Sequence, residues 1–239
     1  MIDQSPTPLP PLEVDSPEEG ASRPQVACVT DRGIPKKYWD HFDCYELSTH
    51  DLSAKPSTLR RWREAAPQGA SFISRIGPEL ATHKFVGEAA EEAWALALKR
   101  QEALAASAML LHTPSSFRPS EEHYRAVTSF LERVERPCPL IWRADGLWEE
   151  SERYFEFCAT HDITPAIDPL VWDEEDPFPE GDTYYWRVMG GQGLSPRLSD
   201  YDLDQLLDLC DTAGAQGWVI FSSPHMYQTA RRWRTLAEG

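Results

Sequence analysis

The stretch AMLLHTPSSFRPSEEHYRAVTSFLERVERPCPLIWRA (residues 108–144) contains one full repeat of the pattern that decides the fold. Ala108–Thr113 is a short apolar run that stops at Pro114, the signature of a buried strand. Ser120–Val134 then changes period: Tyr124, Val127 and Leu131 fall on one helical face, Ser120 opens the segment and Pro137 follows it. Leu140–Ala144 returns to a strand pattern, rich in Ile and Trp. Strand, helix, strand in this order predicts a parallel pair with a helical crossover.

The same rhythm extends in both directions. Strand-like runs occupy Gln25–Thr30, Cys44–Ser48 and Ala70–Gly77 upstream, and Thr164–Asp168, Thr183–Gly190 and Gly217–Ser222 downstream. Helical patterns lie between them over Pro56–Ala66 (with Ser57 as a cap), Glu88–Ala106, Glu149–His161 and Ser199–Ala213, and His225–Glu238 closes the series. Eight strands alternating with helices require a parallel sheet. A compact (β/α)8 TIM-barrel-like fold uses all eight without leaving an edge, and an open doubly wound sheet is the alternative. Residues 1–24 stand apart. They hold six prolines, Asp3, Glu13, Asp15, Glu18 and Glu19, and no aliphatic periodicity, so they are expected to form a disordered acidic tail before a single domain over 25–239.

Composition narrows the function. The 239 residues carry 39 Asp and Glu against 23 Lys and Arg, a net charge of −16, which disfavours nucleic acid as a general partner. No apolar stretch is long enough for a membrane span and no secretory leader pattern opens the chain, so no membrane partner and a cytoplasmic location are expected. The five cysteines, at 28, 44, 138, 158 and 210, form no CxxC pair and fit reduced thiols.

In a βα barrel the chemistry gathers at the C-terminal strand ends. These offer Thr30 and Asp31, Glu46 and Ser48, Arg75, His112, Arg143, Asp168, Arg187, and Ser222 with Ser223. Charges inside short apolar strands are costly unless paired or solvated at the rim. Two readings stand side by side: a charge network that closes the barrel end, and a pocket in which three guanidiniums fork onto a phosphate or carboxylate. Glu46, Asp168 and His112 are the catalytic candidates. Arg75, Arg143, Arg187, Gly190 and Trp148 are the substrate-binding candidates, Trp148 and Trp172 lying in βα loops where a ring packs or stacks on a ligand. A metal cluster of His112, Glu46, Asp168 and His83 lacks any local ligand spacing and faces three arginines, so no metal and no cofactor are expected. Gly190-Gly191-Gln192-Gly193 could cradle a phosphate or serve as a plain loop. Asp173-Glu174-Glu175-Asp176 reads as a solvated acidic run.

Across residues 25–236 several pieces occur in the order of a known family. They are Phe42-Asp-Cys-Tyr-Glu46-Leu-Ser, Leu59-Arg-Arg-Trp62 through Pro67, Phe72-Ile-Ser-Arg75, Ala81-Thr82-His83, His112-Thr-Pro114-Ser-Ser-Phe117, Trp142-Arg143 through Trp148, Ala166-Ile-Asp168, Tyr185-Trp-Arg187-Val-Met-Gly190 and Val219-Ile-Phe221-Ser-Ser. Together they resemble the DUF72 (YecE-like) family of TIM-barrel-like proteins, whose reaction is not established. The resemblance carries over Glu46, Arg143, Asp168, Arg187 and Gly190, with Arg75 in place of a lysine. It departs where the family pattern has a glutamate two residues before the arginine (Ile141 here), a histidine (Met189) and a closing Asn-Asn (Ser222-Ser223). Two functions follow as expectations: an enzyme or binder for a small anionic ligand, or a catalytically inactive barrel that contacts a protein partner, through its acidic tail.

Overall fold

Alternation decides which way each strand's side chains point, and in the computed structural model it is obeyed around the whole barrel. The structure describes residues 23–148, 151–172, 183–190, 198–213 and 216–237. The tail over 1–24 (all but its last two residues), the acidic run at 173–176 and the glycines after Gly190 lie outside the described residues.

Eight parallel strands, β1 (Gln25–Cys28), β2 (Cys44–Glu46), β3 (Ser71–Arg75), β4 (Ala108–Thr113), β5 (Leu140–Ala144), β6 (Ile163–Ile167), β7 (Thr183–Val188) and β8 (Gln216–Phe221), follow one another in the order β1-β8-β7-β6-β5-β4-β3-β2. This is a nearly closed barrel, as expected from the βα rhythm. Helices α1 (Pro56–Ala65), α2 (Glu79–Thr82), α3 (Glu88–Leu104), α4 (Glu121–Leu131), α5 (Glu152–Thr160) and α6 (Asp200–Ala213) lie between strands, and α7 (Tyr227–Ala237) follows β8. Ser120 caps α4 by accepting from the His123 amide. Ser57 is no cap: Lys55 holds that position without a side-chain bond, and Pro56 starts α1 with a preset φ and no amide to satisfy. The four-residue α2 carries too little periodicity to be read from sequence.

One set of alternate residues fills the barrel. Ala27, Cys44, Ile73, Leu110, Ile141 and Ile220 pack there with Tyr185 and Trp218. The other set faces outward beneath the helices: Trp142 packs there with Trp148 and with Phe130 of α4, and Phe72 and Trp186 lie across the barrel in the cluster that holds Trp233 of α7.

The seam between β1 and β2 is closed by side chains and by one backbone bond, from the Asp43 amide to the Val26 carbonyl at 3.3 Å. On β1 the Val29 amide bonds to β8, while the amides of Val26 and Cys28 face β2. Val26 donates to the Asp43 carboxylate, and Cys28 donates to the Tyr38 hydroxyl, which in turn donates to the Cys44 carbonyl at 2.9 Å. The Tyr38 phenol, fully buried, thus stands in for a rung of the ladder.

Candidate functional site

Arg75, Arg143 and Arg187 share one level of the barrel, and the strand registers explain why. Arg75 pairs with Leu110 and Leu110 with Ile141, so Arg143 stands two residues beyond that row. Ile141 pairs with Thr164 and Ala166 with Tyr185, so Arg187 stands two residues beyond the next row. Tilted barrel strands stagger by about one residue per strand, and the two-residue offset cancels the stagger across two strands. The three guanidiniums therefore come from three of the four odd strands and form one layer, with Val29 of β1 as its fourth member. By the same count Glu46, Leu110, Ala166 and Ile220 form the layer beneath. Ser48, His112, Asp168 and Ser222 form the layer above.

Glu46 is the counter-ion under this layer. Its carboxylate is fully buried and accepts from Arg187 Nη1 at 2.9 and 3.0 Å and from the Tyr185 hydroxyl, with Arg75 Nη1 at 3.8 Å. Burial pushes its pKa upward, yet Arg187, then Arg75, and the two hydrogen-bond donors outweigh that and hold it below the usual carboxylate value. With both oxygens engaged by donors, Glu46 is the buried charge partner of Arg187 and Arg75. The same pairing raises Arg187 against its burial. Tyr185 is pushed up by burial first, with Glu46 adding to it.

Arg143 differs from Arg187. Its side chain is 22% exposed, and Nε meets Asp145 Oδ1 at 3.2 Å. Burial first, and then the like charges of Arg187 and Arg75, lower its pKa, with Asp145 opposing. Asp145 divides its charge: Oδ2 meets His112 Nε2 at 2.8 Å. Burial raises the Asp145 pKa, but the bond to His112 and the charge of Arg143 hold it down. Asp168 sits just past β6 and accepts from the backbone amides of Met189 at 3.0 Å and Leu170 at 3.2 Å. Burial outweighs those two bonds, and its pKa is raised.

The barrel mouth thus brings together Glu46, Arg75, His112, Arg143, Asp168 and Arg187. Trp148 is not part of it. The ring is fully buried among Trp142, Tyr124 and Phe117, and its indole N–H donates to the Phe117 carbonyl. It packs the helix layer and presents no face to a ligand. Gly190 adopts φ +64, which lets the chain turn out of β7. His83 is exposed at the end of α2, and among the described residues no three His, Cys, Asp or Glu side chains converge as a metal site. Ser222 donates its amide to Val188, and Ser223 accepts from the His225 amide. Trp172 packs edge-on against Phe155 at 5.2 Å. Among the described residues no helix is long and apolar enough to cross a membrane.

Two members of the site were missed. Tyr185 lies two residues before Arg187 and Asp145 two after Arg143, so alternation alone puts each on its arginine's face. A tyrosine in an aromatic run and an acid in a loop gave no other signal.

No curated protein matches the chain. Solved structures similar to it include two DUF72 family proteins. A DUF72 family protein from Thermotoga maritima MSB8 is 18% identical, with a TM-score of 0.69 over 85% of this chain and 88% of that one. Another from Enterococcus faecalis V583 is 12% identical, with a TM-score of 0.68 over 90% and 94%. At those identities the likeness establishes the fold. The family model described as "Protein of unknown function DUF72" matches residues 32–238, nearly the whole chain, and the chain belongs to that family.

Proposed function

We propose that the chain binds a small molecule bearing a phosphate or carboxylate in the barrel mouth, its anionic group seated on the layer of Arg75, Arg143 and Arg187. The observation that carries this reading is a charge imbalance. Three guanidiniums share one level above the Glu46 carboxylate, Asp145 is divided between Arg143 and His112, and Asp168, one layer higher, is held by the amides of Met189 and Leu170 rather than by an arginine. The half-buried Arg143 is the one left short of charge, and the buried Arg187 Nε has no partner among the described residues. An anion on this layer relieves the repulsion and supplies acceptors in fork geometry. Asp168, with a raised pKa, and His112, oriented by Asp145, stand one layer higher and are the groups suited to exchange a proton with a bound anion. A barrel that binds without turnover is the second reading. Ile141, fully buried in the apolar filling where the family pattern has a glutamate, favours it.

Thermal unfolding with added phosphate, acetate, sugar phosphates and nucleotides tests the site. A ligand at about 100 times its Kd adds roughly 2.7 kcal/mol, a rise of about 5–11 °C for a chain of this size. Arg143→Ala is expected to fold and to lose the rise. A rise unchanged in Arg143→Ala, or no rise with any anion, overturns the reading. Assay of a bound anion for chemical change separates enzyme from binder.

A further inference from the structure

The rim above the arginine layer is lopsided. On the β5–β7 side three consecutive strand exits each present a large exposed apolar side chain: Leu147, 54% exposed, after β5; Val171, 77% exposed, after β6; and Met189, 46% exposed, directly after β7. They are tied to the site by short backbone links. The Met189 amide donates to Asp168 Oδ2, the Val171 amide donates to the Asp168 carbonyl at 3.3 Å, and Leu147 lies two residues beyond Asp145, the partner of Arg143. Neighbouring strands lie about 4.8 Å apart, so β5 and β7 bracket an arc of about 10 Å. The opposite side of the mouth is polar. There Thr30, Asp31, Ser48 and Asp51 line the exits of β1 and β2, bound to one another and to the Gly33 backbone. The other exposed large apolar residues among those described, Val86, Leu96, Tyr201 and Leu236, follow or lie on helices and do not sit directly at a strand exit.

Exposed apolar residues scattered singly mean little, but three at adjacent strand exits beside one charged cluster define an environment. We infer that the anionic ligand is amphipathic: a carboxylate head on Arg143 and its neighbours, and an unbranched apolar body of several carbons lying across Leu147, Val171 and Met189. This rests on the anion reading above and adds to it which anions the site prefers. Of the three guanidiniums Arg143 is the most open, 22% exposed, which suits one singly charged head, and the one-sided apolar arc gives the rest of such a molecule a surface that a free phosphate or sugar phosphate would not use.

The test is a homologous series. Calorimetric titration of the full chain with acetate, butyrate, hexanoate and octanoate is expected to show Kd falling about two- to fourfold per added methylene, the range from partial to full burial of the group. The triple substitution Leu147→Ser, Val171→Ser, Met189→Ser is expected to flatten that dependence to under about 1.3-fold per methylene. Met189→Ser alone is expected to reduce it for octanoate more than for butyrate. All three side chains are exposed, so the fold should survive, and circular dichroism checks it. If acetate or phosphate binds through Arg143 but affinity is flat along the series, the amphipathic ligand is refuted and the anion site stands. If the triple variant keeps the full slope, the apolar arc is refuted. If no anion binds the native chain, both readings fall together.

Discussion

Removing the charge of Glu46 while keeping its shape, by Glu46→Gln, should be the most damaging isosteric change in the barrel mouth. The carboxylate is fully buried, both its oxygens are engaged by Arg187 and Tyr185, and Arg75 lies within 3.8 Å. An amide leaves Arg187 buried with its charge uncompensated and turns one acceptor into a donor facing another donor. Breaking a buried pair by removing one partner costs about 3–5 kcal/mol. At roughly 2–4 °C per kcal/mol for a chain of this length, the melting temperature should fall by about 6–20 °C. Thermal and urea unfolding at pH 7 measure it.

The pH dependence gives the sign. The folded Glu46 pKa lies below its ordinary 4.5, so its stabilisation is complete above that pH and is lost as pH falls through the folded value. The gap between native and variant should therefore be full at pH 7 and narrow in acid below pH 4.5. Pairing Glu46→Gln with Arg187→Met should recover part of the loss, because no buried charge then stands alone. A drop at pH 7 under about 1 kcal/mol, or a gap that stays constant into acid, would refute the counter-ion argument and assign Glu46 a packing role only.

Two further changes test the frame around the site. Tyr38→Phe removes the hydroxyl that bridges the Cys28 amide and Cys44 carbonyl. It should cost about 1–3 kcal/mol by denaturant unfolding and speed exchange of the Cys28 amide, whereas unchanged exchange there would mean the seam holds without it. Trp148→Ala should cost about 3–5 kcal/mol and leave the anion-induced rise in melting temperature in place, since the ring belongs to the helix layer; selective loss of that rise would return Trp148 to the ligand site.

How much of this was legible depended on whether a feature repeats with a short period. All eight strands announce themselves as runs of four to eight apolar residues, and Ala108–Thr113 and Leu140–Ala144 match their predicted bounds residue for residue. The C-terminal ends of those runs then singled out Glu46, Arg143, Asp168 and Arg187, and the cost of burying a lone charge turned them toward the rim. What the single strand does not contain is the stagger between strands. That the three arginines share a level, that Glu46 lies below them, and that Asp145 and Tyr185 complete the charge network follow from pairing across the sheet. Trp148 was misread for a related reason. A loop next to the site can still send its ring outward, and the Gly146–Trp148 turn drives the indole under α4, where Tyr124 and Phe117 receive it.

One of the positions at which the chain departs from the pattern it resembles is Ile141, and the layers say what an isoleucine there changes. Ile141 is one strand step, about 7 Å, below Arg143 on the same inner face, at the level of Ala27, Ile73 and Tyr185. A glutamate there is long enough to reach up toward Arg143, as Glu46 reaches Arg187 from β2. With isoleucine the filling stays apolar and Arg143 has only the divided charge of Asp145. On the proposed reading, the charge deficit at Arg143 is therefore a consequence of a residue that touches no solvent. Ile141→Glu should close it from within: the new carboxylate, buried beside a guanidinium, should titrate below the ordinary range, and the melting rise produced by phosphate or short carboxylates should shrink or vanish while Arg143 itself is intact. The variant is also expected to lose stability, since removing a fully buried side chain from a packed layer costs more than one ion pair returns. A destabilised but folded Ile141→Glu that still responds to anions as strongly as the native chain would mean that Arg143 is not where they bind.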